Sequence, residues 1–160
     1  MRIFFLPSIS QAHDPLTLHP FARHHYPAYA RWFADDRIDD ALGPMDEDWL
    51  AYVLHDDEGV QYAVSAGDLL VGVVGLVLGD ADHDYPVITD LAVRPDLIGS
   101  GVGSRILDLV YERHPLPAGR RFVTYVATRN QPAQRFFERN GWEMTAGGEH
   151  DGMLEYGRVA

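Results

Sequence analysis

The chain has 160 residues, 46% hydrophobic and 23% charged, with a formal net charge of −11; that length suits one domain, residues 1–160, burying roughly 68–70% of the surface its unfolded form exposes. It has no cysteine and no lysine, its 13 basic residues all being arginine, which excludes disulfides, thiolate catalysis, zinc-thiolate sites, a lysine Schiff base and a P-loop of the usual form. The acidity disfavours nucleic acid, whose phosphates call for clustered Arg and Lys, and suits a cationic or amine partner or plain solubility.

No repeat, low-complexity tract or apolar run of membrane-spanning length interrupts the chain. The opening "MRIFFLPSIS" offers only four consecutive apolar residues before Pro7, short for a signal peptide, and reads as a strand or packed arm of a cytoplasmic protein. A short strand follows at 16–18. In "FARHHYPAYARWFADD", Tyr26, Ala30 and Phe33 recur at helical spacing, with Pro27 capping or kinking that helix. A second helix starts near "MDEDWLAYVLHDD", its acids early, where the helix dipole favours them. The strands "VQYAVSAG" and "LLVGVVGLVLG" form a hairpin through Gly67 and Asp68.

The rhythm then changes. Strand "PVITDLAV" leads through a glycine loop into helix "VGSRILDLVYERH", where Val102, Ile106 and Val110 repeat every four residues and His114-Pro115 ends the run. Strand "RFVTYVAT" precedes a helix "PAQRFFERN" with Asn130 as N-cap, Pro132 in the first turn and Gly141 at C′. Two last strands lie around "WEMTA" and "MLEYGRV". Strand, helix and strand in succession imply a right-handed crossover between parallel neighbours, hence a mixed sheet with helices on its faces.

Gly99, Gly101 and Gly103 stand where unpaired backbone amides and the positive end of a helix converge, a place that can hold phosphate. The spacing G-x-G-x-G is not the Rossmann G-x-G-x-x-G, and no ribose-binding acid follows at the end of a second strand. A short glycine run of this kind is, taken alone, more often a tight turn.

The wider segment, "ITDLAVRPDLIGSGVGS", together with "VATRNQPAQRFFERNGW" about thirty residues later, resembles the two signature motifs of the GNAT superfamily of acetyl-CoA-dependent N-acetyltransferases, in the correct order over residues 85–142. The resemblance implies an α/β (α+β) fold: a central mixed, mostly antiparallel twisted sheet of about seven strands with a parallel central pair, flanked by about four helices. It implies acetyl-CoA as cosubstrate, held by the backbone of Leu91, Ala92 and Val93, by the loop Ile98, Gly99, Ser100, Gly101, Val102, Gly103 and Ser104, and by Asn130, Ala133 and the Phe136-Phe137 face. Read without the family, Asn130 is a plain N-cap and the two phenylalanines plain core. Ile98 replaces the family's Arg or Gln, leaving phosphate binding to amides with Arg94 or Arg105. Phe137 replaces a Tyr that serves the family as acid toward the departing thiolate.

Acetyl transfer to an amine needs a neutral amine, a donor for the developing oxyanion and a proton for sulfur. Direct attack in a ternary complex, with the backbone N–H near Val93 as oxyanion donor, is the economical expectation, a non-catalytic acyl-CoA-binding or regulatory module being the alternative. Asp90 is the expected base, a structural Asp bonded to neighbouring backbone being the equal alternative. Alternation places it with Ile88 and Ala92, opposite Thr89 and Leu91, if no bulge intervenes. Tyr85 and His83, at the start of the same strand, are the other acid-base candidates, with Tyr125 and Tyr156 as hydroxyls of unassigned aim. His24 and His25 point about 100° apart on a helix and cannot chelate one ion alone, so no metal is expected. The aromatic segment from Phe21 to Phe33 with Asp35, Asp36, Asp39 and Asp40 forms the expected wall for an amine acceptor, cationic in character. A homodimer is an expectation from the family; no nucleic-acid or membrane partner is.

Overall fold

The computed structural model describes residues 14–79 and 85–160, so the expectations for the first ten residues and for His83 lie outside the described residues. In chain order the elements are β1 (Leu16–Pro20), α1 (Tyr26–Arg31), α2 (Asp36–Leu42), α3 (Glu47–His55), β2 (Gly59–Ala66), β3 (Leu69–Val77), β4 (Val87–Val93), α4 (Val102–Arg113), β5 (Arg121–Ala127), α5 (Gln131–Arg139), β6 (Glu143–His150) and β7 (Met153–Val159). The strands form one seven-stranded sheet in the order β1-β2-β3-β4-β5-β7-β6. Every neighbouring pair is antiparallel except β4 and β5, whose parallel union needs the α4 crossover. Sheet, parallel pair and flanking helices agree with the expected fold, with five helices where about four were expected.

The additional helix is α2, for which the sequence offers little apolar periodicity. Asp35 caps it by accepting from the Arg37 amide, and a single buried residue, Ile38, anchors it. The helix expected across Phe21 to Phe33 is shorter than its pattern, with 3₁₀ turns over Arg23–His25 and Trp32–Ala34 on either side of α1. Pro27 sits in the first turn of α1, where a missing N–H costs nothing. In α3, Asp46 accepts from Trp49 N at 3.0 Å with Glu47 and Asp48 in the first turn, the acidic start the sequence predicts.

The sheet has a core on each face. On one side α4 contributes Val102, Ile106, Leu107 and Val110, and α5 contributes Phe137, against Val74, Leu76, Ile88, Phe122, Val126 and Tyr156. On the other, Tyr29, Trp32, Ile38 and Leu50 from the N-terminal helices cover Ala63, Val73 and Ala92. The end of α5 is fixed as the motif predicts. Gly141, at φ 82°, lets its own N–H reach Glu138 O at 3.1 Å and Trp142 N–H reach Phe137 O at 3.0 Å, a Schellman closure. The Trp142 and Phe137 rings then pack edge to face, 5.1 Å apart.

Candidate active site

Two strands that part, a helix start and a half-buried carboxylate define the site. β4 and β5 pair only at Val87 with Val123 and Ile88 with Thr124, a junction tied by the Thr124 hydroxyl donating to Ile88 O at 2.9 Å. Beyond that rung each strand runs on, to Val93 and Ala127, with no mutual ladder among the described residues. A wedge opens, and along it the backbone of Leu91, Ala92 and Val93 borders a gap a further extended chain could enter.

At the open end stands the glycine loop. Gly99 and Gly101 have φ of 82° and 92°, and nothing lies within 4 Å of where a Cβ would be on either, so the loop is conformationally glycine-dependent and sterically open. Gly101 is the N-cap of α4, leaving the amides of Val102, Gly103 and Ser104 at the positive end of a 12-residue helix,. Gly103 has a different reason: a Cβ there would meet Phe136 Cε2 at 2.9 Å. Phe136 therefore lies against the first turn of α4. Phe137 turns inward, 6% exposed, so of the expected aromatic face Phe136 borders the loop while Phe137 belongs to the core. Asn130 caps α5 through Oδ1, which accepts from Ala133 N at 3.2 Å. Arg94 is already engaged, its Nε 2.8 Å from Asp96 Oδ1 and its Nη2 2.9 Å from Asp96 Oδ2, and Arg105 donates to the Asp14 carbonyl. Both guanidinium groups are thus already hydrogen-bonded within the chain.

Asp90 faces the other way from Ile88. The register between β3 and β4 shifts, Gly75 pairing with Asp90 and Leu76 with Ile88, so Thr89 is the extra residue of a bulge. Ile88 packs under α4, whereas Ala92 packs under the N-terminal helices and Asp90 shares that side. Strict alternation, which puts Asp90 with Ile88, fails for this reason. Gln61 Nε2 donates to Asp90 Oδ2 at 2.6 Å and Thr89 Oγ1 to Oδ1 at 2.9 Å. The carboxylate keeps some accessible surface, yet enough protein surrounds it that desolvation pushes its proton affinity up, opposed by those two hydrogen bonds,. Burial, then the nearby Asp90 charge, pushes the Tyr29 hydroxyl up in turn. A carboxylate so raised is a stronger base than a solvated one,.

Tyr85 is five residues before Asp90, about 15 Å along an extended strand, on the paired side of the junction. The structure does not bring these two expected catalytic residues together. Arg121 lies over the Tyr85 ring at 5.6 Å, and the Tyr125 hydroxyl, raised mainly by desolvation and then by hydrogen bonding to Glu155, also bonds Tyr85. Tyr156 is buried and donates to Glu138 Oε1 at 2.9 Å. Among the described residues no group of three or more His, Asp or Glu side chains is placed to hold a metal ion, and no helix is long and apolar enough to cross a membrane. Sequence reasoning missed Gln61, Thr89 and Gly75 around Asp90; a glycine inside the apolar run of β3 was the available signal for a close approach.

The acetyltransferase (GNAT) family model matches residues 18–142. The chain belongs to the GNAT acetyltransferase family. Its fold is shared with solved structures too distant to carry more than the architecture. One is an acetyltransferase from Thermus thermophilus, 23% identical with a TM-score of 0.76, covering 91% of this chain and 97% of that one. Another is the spermidine N-acetyltransferase of Vibrio cholerae in complex with CoA and spermine, 18% identical with a TM-score of 0.69, covering 90% and 95%. An aminoglycoside N(6')-acetyltransferase of Legionella pneumophila is 11% identical with a TM-score of 0.72, covering 91% and 92%. No curated protein matches the sequence. As a GNAT protein the chain is an acetyltransferase, and acetyl-CoA is the donor its family uses. The wedge and the open glycine loop of this GNAT chain fit an extended amide-bearing arm ending in a pyrophosphate.

Proposed function

We propose that this GNAT protein transfers the acetyl group of acetyl-CoA to a primary amine of a small molecule or of a protein or peptide, by direct attack in a ternary complex. The observation that carries the reading is the placement of Asp90, a desolvated carboxylate with no cation paired to it in the described structure, on the wedge where β4 leaves β5. Acetyl-CoA, when bound, supplies the activated acyl carbon. Leu91, Ala92 and Val93 hydrogen-bond the coenzyme's amide arm through their backbone, while the amides from Ile98 through Ser104 receive its phosphates. Phe136 and the Asn130–Ala133 turn border the same groove. Asp90 takes the proton from the incoming ammonium, making the amine nucleophilic, and the backbone N–H near Val93 donates to the acyl oxygen as negative charge gathers there.

Phe137 offers no hydroxyl at the position the family uses for an acid, so the proton for the thiolate comes from another group or from water. Tyr85, through its link to Tyr125, is the candidate within the chain; a Tyr85→Phe variant with an unchanged alkaline limb removes it from the mechanism. The acidic surface, with Asp36, Asp39 and Asp40 on α2 beside the aromatic N-terminal segment, supports a cationic acceptor. The same Phe137 favours a second reading, a module that binds acyl-CoA without turnover.

Two measurements test the reading. Calorimetric titration with acetyl-CoA should show micromolar-range binding. Release of free CoA thiol in the presence of a panel holding a polyamine, an aminoglycoside and a peptide amino terminus should then identify an acceptor. Binding without turnover on any amine selects the non-catalytic module, and absence of binding ends both readings.

A further inference from the structure

Three residues in register across β2, β3 and β4 form a row: Gln61 pairs with Gly75, and Gly75 with Asp90. The central position carries no side chain. A Cβ placed on Gly75 would meet Asp90 Oδ1 first, then Gln61 Oε1 at 2.5 Å and Thr89 Oγ1 at 2.7 Å, so the row closes only because that Cβ is absent. Through the space it leaves, the Gln61 amide spans an entire strand to reach Asp90 Oδ2 at 2.6 Å. The bulge residue Thr89 holds Oδ1 from the same strand. Each carboxylate oxygen thus has one neutral donor, from two different strands.

We propose that Gln61 is the positioning residue for Asp90, a clamp that reaches across Gly75 to fix the orientation of the carboxylate for proton abstraction. The inference rests on the reading of Asp90 as the base. Among the described residues the groups facing the carboxylate are few: Tyr29 from α1, Gln61 from β2 and Thr89 from β4, with the bare Gly75 of β3 between them. Of these only Tyr29 titrates, and its raised proton affinity keeps it neutral at working pH. The clamp is therefore the main stabiliser of the ionised carboxylate against desolvation. A neutral amide does this without the permanent charge of an arginine, which would hold Asp90 too weakly basic to accept a proton from an ammonium. It also leaves the second lone pair of each oxygen free for substrate.

The test reads the carboxylate directly. In protein labelled with ¹³C at the aspartate carboxyl carbons, the Asp90 signal is assigned by its loss in Asp90→Asn and titrated without any ligand in the wild type and in Gln61→Met, which keeps length but removes the donor. The Asp90 midpoint should rise by about one pH unit in Gln61→Met. The acid limb of kcat/KM, measured with acetyl-CoA and the amine giving highest turnover in the acceptor panel, should move with it, while the KM for acetyl-CoA stays unchanged. A folded Gln61→Met whose Asp90 titrates at the wild-type midpoint overturns the clamp. A midpoint that moves while the acid limb stays put upholds the clamp and instead sinks Asp90 as the base. Should Gln61→Met fail to fold, Gln61→Glu sets a second carboxyl against the first, and an Asp90 midpoint indifferent to it overturns the clamp equally.

Discussion

Phe136 on α5 rests its ring against the bare Cα of Gly103 in the first turn of α4, so close that a methyl group on that glycine would stand 2.9 Å from Phe136 Cε2. The start of α4 is thus seated by an aromatic from the other motif, which links the two signature segments mechanically. Gly103→Ala should push the two helices apart, costing about 1–3 kcal/mol of stability and weakening acetyl-CoA binding together with it. Gly101→Ala meets no neighbour within 4 Å, so its cost is backbone strain alone, about 1–2 kcal/mol. Urea denaturation paired with calorimetry separates the two: the strained variant regains folding in Gly101→Asn, whereas no residue with a side chain relieves position 103.

Asp90→Asn should lower turnover by about 10²–10⁴-fold with little change in acetyl-CoA affinity, and it should stabilise the fold at neutral pH. The sign follows from the raised proton affinity. The native carboxyl binds protons more tightly than the unfolded one, so as pH rises from the ordinary value of 3.8 the native state loses stability until it too has ionised. The variant escapes that penalty. Thermal scans across pH should show it above the wild type near pH 7 and the two converging below about pH 4; a variant less stable than wild type at pH 7 contradicts the desolvation account.

Two histidines work in the opposite sense. Burial, with Arg113 second, holds His114 below its usual value, and burial followed by His24 and His19 does the same to His25. Such groups contribute stability that is fully present above the unfolded value of 6.5 and is lost as pH falls through the lower native one. Melting temperature should therefore decline on acidification below 6.5, less steeply in His114→Gln. Tyr62→Phe removes the 2.8 Å bond between the Tyr62 hydroxyl and His114 Nε2 and should cost about 1 kcal/mol.

Arg94 carries a prediction of near-silence. Both arms of its guanidinium are taken by Asp96, so Arg94→Ala should change acetyl-CoA affinity by less than about fivefold. A larger loss in calorimetry places that side chain on phosphate after all.

The parts legible in the sequence were those governed by local rules. Val102, Ile106 and Val110 announced the buried stripe of α4, and Asn130, Pro132 and Gly141 bracketed α5, because caps, turns and 3.6-residue periodicity act within a few positions. The hairpin at Gly67 was readable for the same reason. What escaped was set between strands. Whether Asp90 shares a face with Ile88 depends on a register shift against β3, and although the hairpin joins the strands of Gln61 and Gly75, no local pattern sets β3 beside β4,. The short α2 escaped because one buried side chain, Ile38, leaves no period to detect.

The extra residue at Thr89 acts on β4 as a change of parity. Before it, the even-numbered Ile88 meets α4; after it, the odd-numbered Leu91 and Val93 do, while Asp90 and Ala92 cross to the other side. On the proposed reading, one strand thus serves the coenzyme through its backbone, the helical core through one set of side chains and the reaction through another. Were Thr89 drawn into the ladder and the bulge lost, plain alternation would set Asp90 on the face of Ile88, beneath α4, so the side on which this carboxylate stands hangs on one residue that β3 leaves unpaired,.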